Sequence, residues 1–270
     1  MEKNNFKRFN EISESIRKVE IQGAKNVART ALYAYSLVPS KNSIRKLISL
    51  RPTEPMLENV LILAQKEPYQ KILEHFDMAQ NRINNYVLKL IKNSDVIFTH
   101  CHSTNVINSL IYANKKGKKF EIYNTETRPL FQGRKTASEL KKAGIKVTFF
   151  IDSASEDALT GEGKLERVDK VFLGADALLK NGIINKIGSE LFARIAQDEK
   201  IPIYIIADSW KFTKKKVPIE NRNLNEVWNH APKNIKIKNP AFEFVRKKYI
   251  TGIITEYGIM SYDKFVGKMK

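Results

Sequence analysis

A cysteine and an aspartate carry the most telling chemistry in this sequence. Cys101, the only cysteine among 270 residues, follows the apolar run 95–99 and precedes a helix-like run at 103–116. A helix N-terminus presents unpaired N–H groups and a partial positive charge. That setting predicts a thiol pKa pulled below its free value of about 8.5; the plainer alternative is a small buried filler. Asp176 follows Phe172-Leu173-Gly174-Ala175, an apolar approach that predicts desolvation and a raised carboxyl pKa. The plainer reading is a loop aspartate bonding local N–H groups. A thiolate can take a proton beside a carbonyl, and a carboxylic acid can return one to an oxygen. Arg51, Arg128, Lys186 and Lys211 are the cations expected to hold phosphate, arginine bidentately and lysine as a point charge.

The elements that must position these residues follow from hydropathy. Segments 6–16, 24–36, 43–50, 57–66 and 69–92 repeat apolar residues every three or four positions, as helices do. Arg51-Pro52-Thr53-Glu54-Pro55 breaks that pattern. Beyond residue 94 short apolar runs at 95–99, 119–124, 146–151, 170–174, 202–207 and 252–255 alternate with amphipathic ones at 103–116, 136–143 and 190–199. Nearly continuous apolar strands with crossover helices predict a mostly parallel sheet covered on both faces. The expected organisation is α/β: a helical N-terminal domain over 1–92, then a doubly wound, Rossmann-like sheet domain over 93–270.

Such sheets bind ligands beyond the carboxyl ends of their strands. The strands are followed in turn by Cys101, Ser103 and Thr104; by Glu126, Thr127 and Arg128; by Asp152; by Asp176 and, past an Asn181-Gly182 turn, by Asn185 and Lys186; and by Asp208 and Lys211. Five polar clusters on one edge make a site. His100 and His102 flank Cys101 and are expected on the face opposite it. No third ligand at metal spacing accompanies them. Gln22-Gly23-Ala24-Lys25 opens a helix and can bring backbone N–H groups to an anion. No Walker A or GxGxxG sequence occurs.

Composition bounds the partners. The chain has 47 Lys and Arg against 29 Asp and Glu, a net charge of +18. The lysines are scattered, with no basic tail, zinc finger or RNA-stacking motif, so nucleic acid is the weaker expectation. A basic surface also steers anionic substrates. No apolar run reaches the ~18–20 residues of a membrane span, and the first residues lack a secretory apolar stretch, which predicts a cytoplasmic address. One cysteine excludes an intramolecular disulfide framework.

These motifs bring a resemblance into view. Thr99-His100 with its serine-bearing turn, Thr125-Glu126-Thr127-Arg128-Pro129 with Gln132-Gly133, Gly174-Ala175-Asp176, Asn181-Gly182-Ile183-Ile184-Asn185-Lys186-Ile187-Gly188 and Ala207-Asp208-Ser209-Trp210-Lys211-Phe212 resemble the superfamily that joins the regulatory subunits of translation initiation factor 2B to two kinds of sugar-phosphate isomerase. The isomerases carry a cysteine and an aspartate at the positions of Cys101 and Asp176; the initiation-factor subunits generally do not. The cysteine loop, and Lys238–Glu243 ahead of Ile254-Thr255-Glu256-Tyr257-Gly258, are most similar to the archaeal ribose-1,5-bisphosphate isomerases. The resemblance implies conversion of ribose 1,5-bisphosphate to ribulose 1,5-bisphosphate, in nucleoside monophosphate breakdown. Asp176 would assist ring opening, and Cys101 would move the C2 proton through a cis-enediol-like intermediate. Gln22, Gly23, Ala24, Lys25, Arg51 and Arg128 would cradle one phosphate region. Ser103, Thr104, Asn185, Lys186 and Lys211 would complete the substrate site. It also implies no metal or organic cofactor, and self-association as a dimer or hexamer. The alternatives are a methylthioribose-1-phosphate isomerase or a non-catalytic initiation-factor-like subunit. Gln22 stands where the family usually has arginine, and Asp208-Ser209-Trp210 replaces a more usual Glu-Thr-Tyr.

Overall fold

The structure is a computed structural model that describes residues 2–269. The first third is helical: α1 (Glu2–Arg17), α2 (Ala24–Leu37), α3 (Lys41–Leu50), α4 (Pro55–Leu63) and α5 (Tyr69–Leu90). The chain break at 51–55 becomes the start of α4, with Pro55 in its first turn, where a missing N–H costs nothing. The apolar stripes of α1, α2, α3 and α4 meet in one cluster built on Phe9, Ile16, Val27, Ala31, Leu47, Leu57 and Leu61. Ile83, Val87 and Ile91, at the far end of α5, instead join the core under the sheet.

The rest alternates as the hydropathy predicts: β1 (Val96–Thr99), α6 (Thr104–Lys115), β2 (Glu121–Thr125), α7 (Gln132–Lys142), β3 (Lys146–Phe150), α8 (Ser155–Thr160) and β4 (Lys170–Leu173). Then come β5 (Ala177–Leu179), β6 (Gly182–Lys186), α9 (Ser189–Asp198), β7 (Ile203–Ile206), β8 (Phe242–Arg246), β9 (Gly252–Thr255), β10 (Gly258–Met260) and α10 (Tyr262–Lys268). The main sheet has the order β10-β9-β7-β4-β1-β2-β3. All of its pairings are parallel except that of β10 with β9. Phe98 on β1 stacks edge-on to Phe192 of α9 at 5.4 Å, and both side chains are fully buried. Burying one such ring is worth about 2–3 kcal/mol.

Two features were not expected from the sequence. The Asn181-Gly182 turn closes a β5–β6 hairpin, and β8 adds to it, making a separate antiparallel sheet of three strands. Asn185 and Lys186 therefore sit on a strand of their own rather than in a loop after β4. No helix among the described residues is long and apolar enough to cross a membrane.

The strand order reverses between β1 and β4. From β1 the chain moves outward to β2 and β3, then returns to place β4 on the other flank of β1. A crevice opens where the two crossovers diverge. His100 fixes its floor. Thr125 Oγ1 donates to its Nδ1 at 2.5 Å, and its Nε2–H donates to the Ile187 carbonyl at 3.0 Å. A carbonyl only accepts, so the hydrogen is on Nε2 and Nδ1 is bare. One ring thus ties the ends of β1 and β2 to the β6–α9 junction, with Phe192 packed edge-on at 4.8 Å.

Burial pushes the His100 imidazole down to about 4 from an ordinary 6.5. The unfolded chain therefore binds this proton first. Its contribution to stability is complete above pH 6.5 and is lost as pH falls toward 4, by on the order of 3 kcal/mol. Urea unfolding at pH 7 and pH 4.5 should show that loss in the wild type. His100→Gln, which cannot titrate, should be less stable at pH 7 and should lack that part of the slope.

Candidate active site

Cys101 begins the turn after β1, and Asp176 lies just beyond β4. Because β1 and β4 pair directly, the two residues flank the crevice at the switch in strand order. Both line one cleft, of about 930 Å³ including its open mouth. Its other wall comes from the N-terminal helices, so the site lies between the helical segment and the sheet.

The turn holding Cys101 is locked. Cys101 has φ 66°, the left-handed region that costs a non-glycine residue about 1 kcal/mol or more. Its N–H donates to Thr127 Oγ1 at 3.0 Å, and its carbonyl accepts from Thr136 Oγ1 at 2.7 Å. Thr127 is held in turn by Asp152, whose carboxylate accepts from the N–H groups of Thr127 and Arg128. Across the crevice Gly174 makes room for Ser103: a Cβ there would stand 2.5 Å from Ser103 Oγ. Any side chain at 174 would push the cysteine turn away from β4.

The thiol's protonation differs from the sequence expectation. α6 begins only at Thr104, behind Ser103, so Cys101 lies outside the first turn, where the terminal charge acts. Burial dominates and pushes the thiol up to about 11. Lys186 is the main opposing influence, and Asp176 adds to the rise. Asp176 follows expectation: burial raises its carboxyl, against the pull of Lys211, Lys186 and Arg51. The thiol is thus neutral, and burial favours the proton on Asp176.

The histidines do not share a face as expected. His100 turns to Thr125 and Ile187, while His102 bonds Thr136 Oγ1 at 3.2 Å. Among the described residues neither ring hydrogen-bonds the Cys101 sulfur, which leaves no cysteine–histidine dyad.

The anion-binding features converge on the same cleft. The N-terminus of α2 enters with Gln22, Gly23, Ala24 and Lys25, and that of α6 with Ser103 and Thr104. Gly23, at φ +86° before α2, adopts a conformation that glycine takes without strain. Two helix ends supply N–H groups and positive potential to one volume. Lys186 and Lys211 line it, are nearly buried and make no ion pair among the described residues. Lys211 Nζ donates to the Ala175 carbonyl at 2.6 Å, and Lys186 lies 5.0 Å from the centre of the Phe242 ring. Asn185 Nδ2 donates to Ser189 Oγ at 2.9 Å. Arg51, also nearly buried, donates from Nη2 to Glu54 at 3.0 Å. Its Nε and Nη1 are buried and have no hydrogen-bond partner among the described residues. Unpaired buried guanidinium donors of this kind call for an acceptor.

Arg128 is the exception among the expected residues. Its Nη2 donates to the Val227 carbonyl at 3.3 Å, its guanidinium stacks over Phe131 at 4.8 Å, and it does not line the cleft. The aromatic face and the carbonyl satisfy its charge where it stands. Conversely, Glu54, Arg222, Lys135 and Gln132 line the cleft without having been foreseen. Glu54 stood three residues from Arg51 in a segment read only as a break. Arg222 lies in an irregular stretch with no periodicity to place it.

Comparison with known proteins agrees with this architecture. The chain is 36% identical to the ribose 1,5-bisphosphate isomerase of Methanocaldococcus jannaschii, over 93% of this chain and 90% of that protein. It is 33% identical to the methylthioribose-1-phosphate isomerase of Thermosipho melanesiensis, over 93% of this chain and 75% of that protein. A crystal structure described as translation initiation factor eIF-2B from Pyrococcus horikoshii superposes with a TM-score of 0.82 at 26% identity, covering 94% of this chain and 97% of that one. Residues 40–262 match the Initiation factor 2 subunit family, and with well over half of its length inside that match the chain belongs to this family.

Proposed function

We propose that the protein is a sugar-phosphate isomerase that converts ribose 1,5-bisphosphate to ribulose 1,5-bisphosphate. The observation that carries this reading is the placement of Cys101 and Asp176 on adjoining strand ends, facing one cleft lined by buried cations. A bisphosphate needs two groups of anion-binding elements. Arg51 with the N-terminus of α2 forms one, and Lys186 with Lys211 and the N-terminus of α6 the other.

The proton transfers balance without a cofactor. Asp176, held protonated by burial, gives its proton to the ring oxygen as the C1–O bond breaks. Cys101 first releases its thiol proton to water beside Lys186; as thiolate it then takes the proton from C2, which leaves an enol between C1 and C2. Cys101 then returns its proton to C1, and Asp176 recovers one from the C2 hydroxyl as the ketone forms. General acid–base steps of this kind contribute about 10²–10⁴-fold each. Lys186 is the cation that favours the thiolate when the reaction demands it. Asn185, Ser103 and Thr104 would hold the sugar.

A methylthioribose-1-phosphate isomerase is the second reading, favoured by the 33% identity to the Thermosipho protein. That substrate has a single phosphate and would leave one cation group unused. We further propose self-association. Leu224, Val227, Trp228 and Ile235 are exposed together in the irregular stretch before β8, and clustered apolar exposure marks contact surfaces. Equilibrium sedimentation should show a species larger than 31.1 kDa.

Purified protein incubated with α-D-ribose 1,5-bisphosphate should release ribulose 1,5-bisphosphate, and Cys101→Ser and Asp176→Asn should each lower kcat by about 10³-fold while keeping the wild-type melting curve. Turnover of methylthioribose 1-phosphate alone would move the assignment to the second reading; turnover of neither would leave an initiation-factor-like binding subunit. The thiol itself gives an independent check. Alkylation of Cys101 by iodoacetamide in the ligand-free protein should titrate near pH 11, and Lys186→Met should shift that titration higher. An alkylation midpoint below pH 8.5 would contradict the buried, neutral thiol.

A further inference from the structure

Glu54 is a carboxyl in the wall of the cleft to which the proposed chemistry gives no task. It lies at the start of α4, yet its side chain makes no capping bond there. It is 3% exposed. Its Oε1 accepts from Arg51 Nη2 at 3.0 Å, while Oε2 is buried with no partner. The two unpartnered donors of Arg51 lie beside it. Leaving an ionised carboxylate oxygen unsatisfied in such a place is far more costly than leaving a protonated one so.

We propose that Glu54 is a specificity-determining residue for phosphate: it faces the ligand as an uncharged carboxylic acid that donates from Oε2 to a phosphate oxygen, and its ionisation expels that phosphate from Arg51. A phosphate dianion only accepts hydrogen bonds. It completes both the Glu54 O–H and the idle Arg51 donors, whereas an ionised Glu54 would repel it and neutralise the guanidinium that holds it.

Burial pushes the Glu54 carboxyl up to about 8, and ionisation of Asp176 across the cleft would add to the rise. Arg51 and Lys211 pull the other way, and Glu220, 3.8 Å from Arg51 Nη2, pushes it further up. The acid form of Glu54 thus prevails at neutral pH and is lost above about pH 8. Lys25, whose ammonium burial makes easier to deprotonate, and Asp176, whose carboxyl burial raises, also weaken anion binding as pH rises. The test must separate them from Glu54.

The inference rests on the isomerase reading only for the identity of the sugar, so inorganic phosphate and ribose 1,5-bisphosphate serve as parallel probes. Their Kd values are measured by calorimetry at pH 7 and pH 9 for the wild type and Glu54→Gln. Ligand ionisation, Lys25 and Asp176 are common to both proteins, so the wild-type-to-variant ratio of Kd isolates Glu54. That ratio should rise about tenfold between the two pH values. Should Glu54→Gln fail to fold by circular dichroism, Glu54→Met supplies the same uncharged comparison. A ratio that stays constant, or a wild type that binds neither probe, overturns the proposal. A tenfold rise with inorganic phosphate, without any ribulose 1,5-bisphosphate formed, upholds Glu54 and removes the isomerase assignment instead.

Discussion

The parallel pairing of β1 with β4 is the contact on which the site depends. It joins strands separated by three helical crossovers and sets the end of each against the other. Cys101 and Asp176 are 75 positions apart in sequence but emerge on neighbouring strands. Gly174 keeps the two turns close, since a Cβ there would collide with Ser103. The rest of the sheet covers this pairing, with β7 beside β4 and β2 beside β1. Fully buried Phe98 and Phe172 on the two paired strands face opposite cores, so the crevice is anchored from both sides of the sheet.

Around that crevice the electrostatics run against ordinary expectation for a surface. Acids in the cleft are pushed toward their neutral forms and the thiol stays protonated, while the Arg51, Lys186 and Lys211 side chains have little solvent around them. Preorganised donors in a water-poor space are the arrangement that stabilises developing negative charge most strongly. The global +18 brings anions to the surface, and these few buried groups decide which of them stays.

Much of this was legible in the sequence because strand ends punctuate it. Each apolar run stops at a residue with chemistry, and a parallel sheet puts those stops on one edge. Eleven of the residues singled out thus gather in one cleft beside Asp176. What could not be read was direction and desolvation. Arg128 follows β2 as expected, but a longer side chain is free to find Phe131 and the Val227 carbonyl instead. Cys101 precedes a helix, but two residues of separation weaken the helix end while burial acts at full strength. Glu54 had no periodicity to mark it, since its value lies in a tertiary partner. The small sheet escaped notice because β5 and β6 are three and five residues long, too short to show a period of two against the neighbouring runs.

The cleft has one wall from the helical segment and one from the sheet. Arg51, Glu54 and the Gln22–Lys25 turn come from the first; Asp176, the thiol, Lys186 and Lys211 come from the second. Neither half is a module that evolution could trade alone. A recombination event joining this sheet to an unrelated helical segment would inherit the reacting groups without the means to retain a substrate. The reciprocal exchange would inherit half a cradle with nothing to react. Divergence within such a lineage must therefore proceed by point changes in both walls together.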